Sequence, residues 1–189
     1  MLACVLAIAS TACSRKTSGT EAGAGSEPSS LSMTDPERPR RTFEEHAARI
    51  LQAVLREDHA QVVELLHPTV VSEMGDKEGC IAELARIATE MKQSGIGITE
   101  ARFTRPADLV ESYGVYYAVL PYDLRMTGPG GAQGISESFL VGVSTDGADS
   151  WKFVDGASIE GDRDKLKRVM KRFPDQLELP PLKQPRWDR

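Results

Sequence analysis

Apolar residues recur every three or four positions from Phe43 to Leu55 and every second position within Val115 to Thr127, and that change of period divides the chain. Phe43, Ala47, Ile50, Leu51, Val54 and Leu55 fall on one face of a helix. Thr42, with Glu45 three residues on, has the pattern of a capping box. Asp58 is placed to cap a second, shorter helix that buries Val62, Val63, Leu65 and Leu66. His67-Pro68 ends it, because a residue before proline is driven out of the helical region. Val70, Val71 and Met74 predict a short apolar turn closed by Gly75. A third helix is predicted from about Lys77 to Lys92, with Cys80, Ile81, Leu84, Ile87, Ala88 and Met91 inward and Gly95 and Gly97 beyond its end.

The remainder reads as strands. Ile98 to Thr104 alternates. Val115 to Thr127 puts Tyr116, Ala118, Leu120, Tyr122, Leu124 and Met126 on one face, and Pro121 inside it predicts a bulge or an edge position. After the turn Gly128-Pro129-Gly130-Gly131, Ile135 to Ser144 carries Ile135, Phe139, Val141 and Val143 on one side. Asp146-Gly147 marks a hairpin, and Trp151 to Asp155 is its short return strand. Asp162 opens a final amphipathic helix through Leu166, Val169, Met170 and Phe173, stopped by Pro174, and a proline-rich tail follows. Helices first and antiparallel hairpins afterwards indicate an α+β domain.

The N-terminus has a different character. Met1 to Cys13 is uncharged and mostly apolar, ends in Ser10-Thr11-Ala12-Cys13, and gives way at once to Ser14-Arg15-Lys16. The run is shorter than the roughly 20 residues needed to span a bilayer, and a short apolar core before small residues reads as a signal peptide. It resembles a bacterial lipoprotein signal, although the usual leucine three positions before the cysteine and a basic start are missing. The resemblance implies cleavage after residue 12, lipidation of Cys13 and a place in the cell envelope, on the outer membrane or its periplasmic face. A plain secretory signal is the alternative. Residues 14–41 are Ser, Thr, Gly, Ala, Glu, Pro and Arg with few large apolar side chains, a composition that does not form a core. Residues 13–41 are therefore expected to be a lipidated tether, 42–180 the domain and 181–189 a tail.

Composition narrows the function. Of 189 residues, 23 are Lys or Arg and 28 Asp or Glu, for a net charge of −5, which gives no basic character for nucleic-acid binding. With Cys4 removed and Cys13 acylated, Cys80 would stand alone, a buried small hydrophobe in a domain without disulfides.

The order of a long helix, two shorter helices and an antiparallel meander resembles the nuclear transport factor 2-like (SnoaL-like, cystatin-like) superfamily. The cues are Glu64-Leu65-Leu66-His67-Pro68, Tyr116-Tyr117-Ala118-Val119-Leu120-Pro121, and Ser144-Thr145-Asp146-Gly147 leading to Trp151-Lys152-Phe153-Val154-Asp155. The resemblance implies three helices packed in a curved sheet, a cone, with a C-terminal amphipathic helix added. It also implies a pocket in the cone, for which His67, Tyr116, Tyr122 and Asp123 are the candidate lining residues and Asp108 a further acid. In isomerases of this superfamily a carboxylate base and a phenol or protonated acid sit in an apolar pocket. Asp123 lies by alternation on the opposite face from Tyr116 and Tyr122, which disfavours a Tyr–Asp pair. His67 at a helix end is expected to be stabilised in its charged form by the helix dipole.

No metal site is expected, since no HExxH, CxxC or carboxylate-rich loop occurs, and no cofactor, since no Gly-rich phosphate loop opens a helix. Ser144 to Trp151 approximates the Asp-box hairpin of sialidases with its glycine one position out, and is read as a β-turn that sends Trp151 into the core. Lys165, Lys167, Arg168, Lys171 and Arg172 give the last helix a basic face, solvated or set against anionic lipid or an acidic partner. The leading expectation is an envelope lipoprotein with a non-catalytic module that binds a protein or small ligand. The alternatives are an isomerase- or hydrolase-like enzyme using the cone, and a homodimer formed through the sheet.

Overall fold

Pro39 starts the first helix earlier than the periodicity indicates. In the computed structural model, which describes residues 36–188, α1 runs over Arg38–Leu55 with Pro39 in its first turn, where a missing N–H costs nothing. Thr42 is consequently inside the helix rather than its cap. Its hydroxyl donates to Ala148 O at 2.8 Å and accepts from the Trp151 indole N–H at 3.1 Å. Residues 38–41, assigned by composition to the tether, belong to the domain. Cys13 and the signal lie outside the described residues.

Three helices follow: α2 (His59–Leu65), α3 (Pro68–Glu73) and α4 (Lys77–Gln93). Carboxylates start two of them. Asp58 accepts from Gln61 N at 3.0 Å and Asp76 from Gly79 N at 2.7 Å, each satisfying a backbone donor that the helix cannot. Gly95, at φ +69°, turns the chain out of α4.

The strands are β1 (Gly97–Phe103), β2 (Asp108–Ser112), β3 (Val115–Thr127), β4 (Gln133–Ser144) and β5 (Lys152–Asp155). A short helix α5 (Arg163–Val169) and a two-residue strand β6 (Arg186–Trp187) complete the chain. They form one open antiparallel sheet in the order β1-β3-β4-β5, with β2 also on β3 and β6 on β4. The fold is therefore α+β, with five α-helices among the described residues.

β3 and β4 pair without interruption from Tyr116↔Ser144 to Thr127↔Gln133, so Pro121 makes no bulge; of the two expectations it is the edge position, a local one, that holds. It sits where β1 has ended (Phe103↔Tyr122) and β2 has not begun (Asp108↔Val119). No neighbour asks for the N–H that proline lacks. The β2–β3 turn consists of Tyr113 and Gly114, both at positive φ (+54° and +74°), the two-residue turn normally made by Asn-Gly.

Both faces of the sheet are covered. On one, Phe43 of α1 lies so close over Gly142 that a Cβ there would sit 2.4 Å from the ring. Phe43 also meets the Trp151 ring edge-on at 4.9 Å. On the other face Tyr117 meets Phe173 edge-on at 5.9 Å, and Leu166, Met170 and Leu177 of the C-terminal segment are buried in the same core. The last residues are held as well. β6 pairs with Gly134 and Ile135, and Glu137 bonds Lys183 at 2.6 Å and Arg186 at 2.5 Å.

Candidate functional site

Leu140 and Asp155 are register partners on β4 and β5, so Asp155 shares the helix-side face with Gly142 and Phe153. Tyr122 and Ser138 are partners on β3 and β4 and occupy the same face. The three polar side chains therefore meet beneath the helices. Asp155 accepts from the Tyr122 hydroxyl at 2.8 Å, from Ser138 Oγ at 3.0 Å and from Ala157 N at 2.8 Å, while its own exposure is 2%.

Burial pushes the Asp155 carboxyl above its ordinary range, although these hydrogen bonds pull it down. Burial and then the adjacent carboxylate drive the Tyr122 phenol well above its ordinary value. The phenol is thus held as a donor. A carboxylate has about four acceptor positions, and three are filled from within the chain.

Asp155 and Leu140 line one side of a mainly apolar cavity of about 110 Å³ between the sheet and the helices. Ile50 and Leu51 of α1, Leu84 and Met91 of α4, and Ile98 of β1 supply much of the wall. The amphipathic spacing of α1 and α4 places these side chains there. Glu57 and Lys92, exposed and paired at 2.7 Å, mark the open side with His59.

The four residues singled out from the sequence do not converge on this cavity, and none of them lines it. Tyr122 touches it only through Asp155. Asp123 lies on the opposite face of the sheet, but it and Tyr122 both border a second hollow, of about 290 Å³, together with Ser138, Glu137, Pro181 and Lys183. Burial, and then the charge of Glu137, raise its pKa. Tyr116 lies on the helix-side face near the start of α1, where burial raises its phenol with a further contribution from Glu111. Asp108 pairs with Arg105 at 2.6 Å.

His67 is the N-cap of α3. Its Nδ1 accepts from Thr69 N at 3.2 Å, and its backbone N–H donates to Phe153 O at 2.8 Å. The dipole expectation is reversed, because His67 starts a helix instead of ending one. Burial, and then the charge of Lys152, lower its pKa. An accepting Nδ1 requires the neutral ring.

Asp155 is the residue that sequence reasoning missed. The available signal was an acid closing the apolar strand Lys152–Asp155, two positions from Phe153 and therefore on its face. Cys80 is fully buried against Met74, and burial raises its thiol pKa. The described residues contain no group of three or more His, Cys, Asp or Glu able to hold a metal ion, and no helix long and apolar enough to cross a membrane. No known family model matches the chain, and no curated protein matches it.

Proposed function

We propose that this chain is an envelope lipoprotein, anchored through an acylated Cys13, whose nuclear transport factor 2-like cone binds a small, largely apolar ligand without transforming it. The apolar cavity between α1, α4 and the sheet carries this reading. Its volume of about 110 Å³ is of the order of engineered apolar cavities that take up benzene. The inert reading is supported by Asp155, which is occupied by three internal donors and fastens β3, β4 and β5 to one another.

Benzene is a suitable probe. Methyl resonances of Ile50, Leu84 and Ile98 are expected to shift saturably as it is added. Ala88→Leu, which fills the cavity from α4, should abolish the shifts. Absence of saturable shifts, or shifts unchanged in Ala88→Leu, would overturn the reading.

One observation favours the enzymatic alternative: a buried acid and a phenol in contact at 2.8 Å border an apolar cavity, a combination suited to proton transfer. Turnover of an enolisable ketone that is lost in Asp155→Asn while the fold persists would establish it.

A further inference from the structure

The chain enters the domain at one end of the sheet, and that end has a composition of its own. Arg38, at the start of α1, pairs with Asp149 of the β4–β5 loop and lies near the Tyr116 phenol. Tyr116 is the second residue of β3, so the turn at Tyr113 and Gly114 projects beyond it at the same end. Tyr113 is 90% exposed, at a φ of +54° that an aromatic side chain rarely adopts. On the other face, Phe173 packs on Tyr117 and the charge of Arg172 reaches the Tyr117 phenol. Tyr117 is about 10 Å from the turn along the strand. Arg168, Lys171 and Arg172 are exposed and have no carboxylate partner among the described residues. Of the acids at this end, Glu37 is paired with Arg40, Asp149 with Arg38 and Asp175 with Lys167, and Asp146 is engaged by Ser144 and Ser150. Glu111 lies beside Tyr116.

We infer that this end of the domain docks on an anionic phospholipid surface, with the Tyr113 ring at headgroup level and Arg168, Lys171 and Arg172 over the lipid phosphates. Tyrosine favours such an interface, with an apolar body and a polar tip, and unpaired cations are drawn to anionic headgroups. The inference rests on the anchored reading. The segment from Cys13 to Pro36 could extend to roughly 75 Å, so the anchor alone does not orient the domain and a docking face is needed to do so. α1 then stands away from the bilayer. The cavity lined by Ile50, Leu51 and Val54 lies roughly 20 Å along the helix from Arg38, and its open side faces the aqueous compartment.

The test uses the full chain carrying Cys13→Ser, so that no acyl group contributes and every variant shares the same N-terminus. Partition into phosphatidylglycerol-containing vesicles is compared with partition into phosphatidylcholine vesicles. Preference for the anionic vesicles is expected to fall with added salt, and by about fivefold or more for each of the charge reversals Lys171→Glu and Arg172→Glu. Tyr113→Asn suits the turn better than tyrosine, so the fold is retained while binding drops several-fold. Arg102→Glu on β1 should leave partition unchanged. Equal binding to both vesicles, or binding unaltered by the Lys171, Arg172 and Tyr113 changes, would overturn the inference; cross-linking of the basic cluster to an acidic protein in that case identifies the alternative occupant. Mass analysis of Cys13 decides the anchor separately: an unmodified thiol sinks the anchoring reading while the vesicle result stands or falls by itself.

Discussion

The Tyr122 hydroxyl donates to Asp155 Oδ2 at 2.8 Å across 33 positions of sequence, with both side chains buried. This contact joins β3 to β5 over the intervening β4, which contributes Ser138 to the same carboxylate. Tyr122→Phe removes one of three donors and is expected to cost about 1–2 kcal/mol. Asp155→Ala leaves several buried donors unpaired and should cost more, about 3–5 kcal/mol. Urea unfolding at neutral pH measures both, and equal costs for the two variants would contradict this account.

Acid should act on the protein in two separate windows. Asp146 accepts from Ser144 Oγ, Ser150 Oγ, Asp149 N and Ser150 N, and its pKa falls from 3.8 to about 2. A depressed folded-state pKa gives stability that is present above pH 3.8 and lost as pH falls toward 2. His67 is also depressed, from 6.5, so its contribution is present above 6.5 and lost as pH falls through its folded value. Asp155 has the opposite sign: a raised acid favours the folded state when protonated, so its contribution declines as pH rises above 3.8. Unfolding midpoints against pH should therefore flatten near pH 3 in Asp146→Asn, and just below 6.5 in His67→Asn. The asparagine keeps the cap of α3 without its titration.

Two glycines make a controlled comparison. A Cβ on Gly142 would lie 2.4 Å from the fully buried Phe43 ring, and one on Gly134 would lie 2.7 Å from Trp187. Phe43 has nowhere to go, so Gly142→Ala should cost about 1–3 kcal/mol or more. Trp187, 37% exposed, can swing out. Gly134→Ala is expected to release β6, seen as faster amide exchange and C-terminal proteolysis, with little change in global stability.

Tyr113 should show a conflict between stability and docking. Asparagine tolerates the left-handed backbone that tyrosine resists, so Tyr113→Asn should raise the midpoint of unfolding by an amount corresponding to about 0.5–1 kcal/mol. A lower midpoint would mean that the ring makes contacts important to the fold.

Much of the architecture was legible because helices and strands announce themselves by different periods. The Val115–Thr127 strand, the Asp58 cap and the Lys77 start of α4 can be read from neighbouring residues alone. What escaped depends on partners distant in sequence. β2 carries an acid at its first and fourth positions and is a strand because β3 lies beside it. β6 is two residues held by Gly134 and Ile135. The candidate site divides the same way. Alternation gave the face of Tyr122 and set Asp123 apart from it. The face of Asp155 could be read from its distance to Phe153, but its meeting with Tyr122 depends on β4 lying between β3 and β5.

The interruption at Pro121 also bears on how many copies can live side by side. That flank of the sheet consists of strands of seven and five residues separated by Thr104–Ala107, and Glu100, Arg102, Asp108 and Glu111 punctuate it with charge. The opposite flank has four residues in β5 and two in β6, with the backbone N–H of His67 already donating to Phe153. Among the described residues, neither margin offers a long, flat row of free amides to an incoming strand, and the longest strand that either presents to an incoming chain is therefore β1, of seven residues.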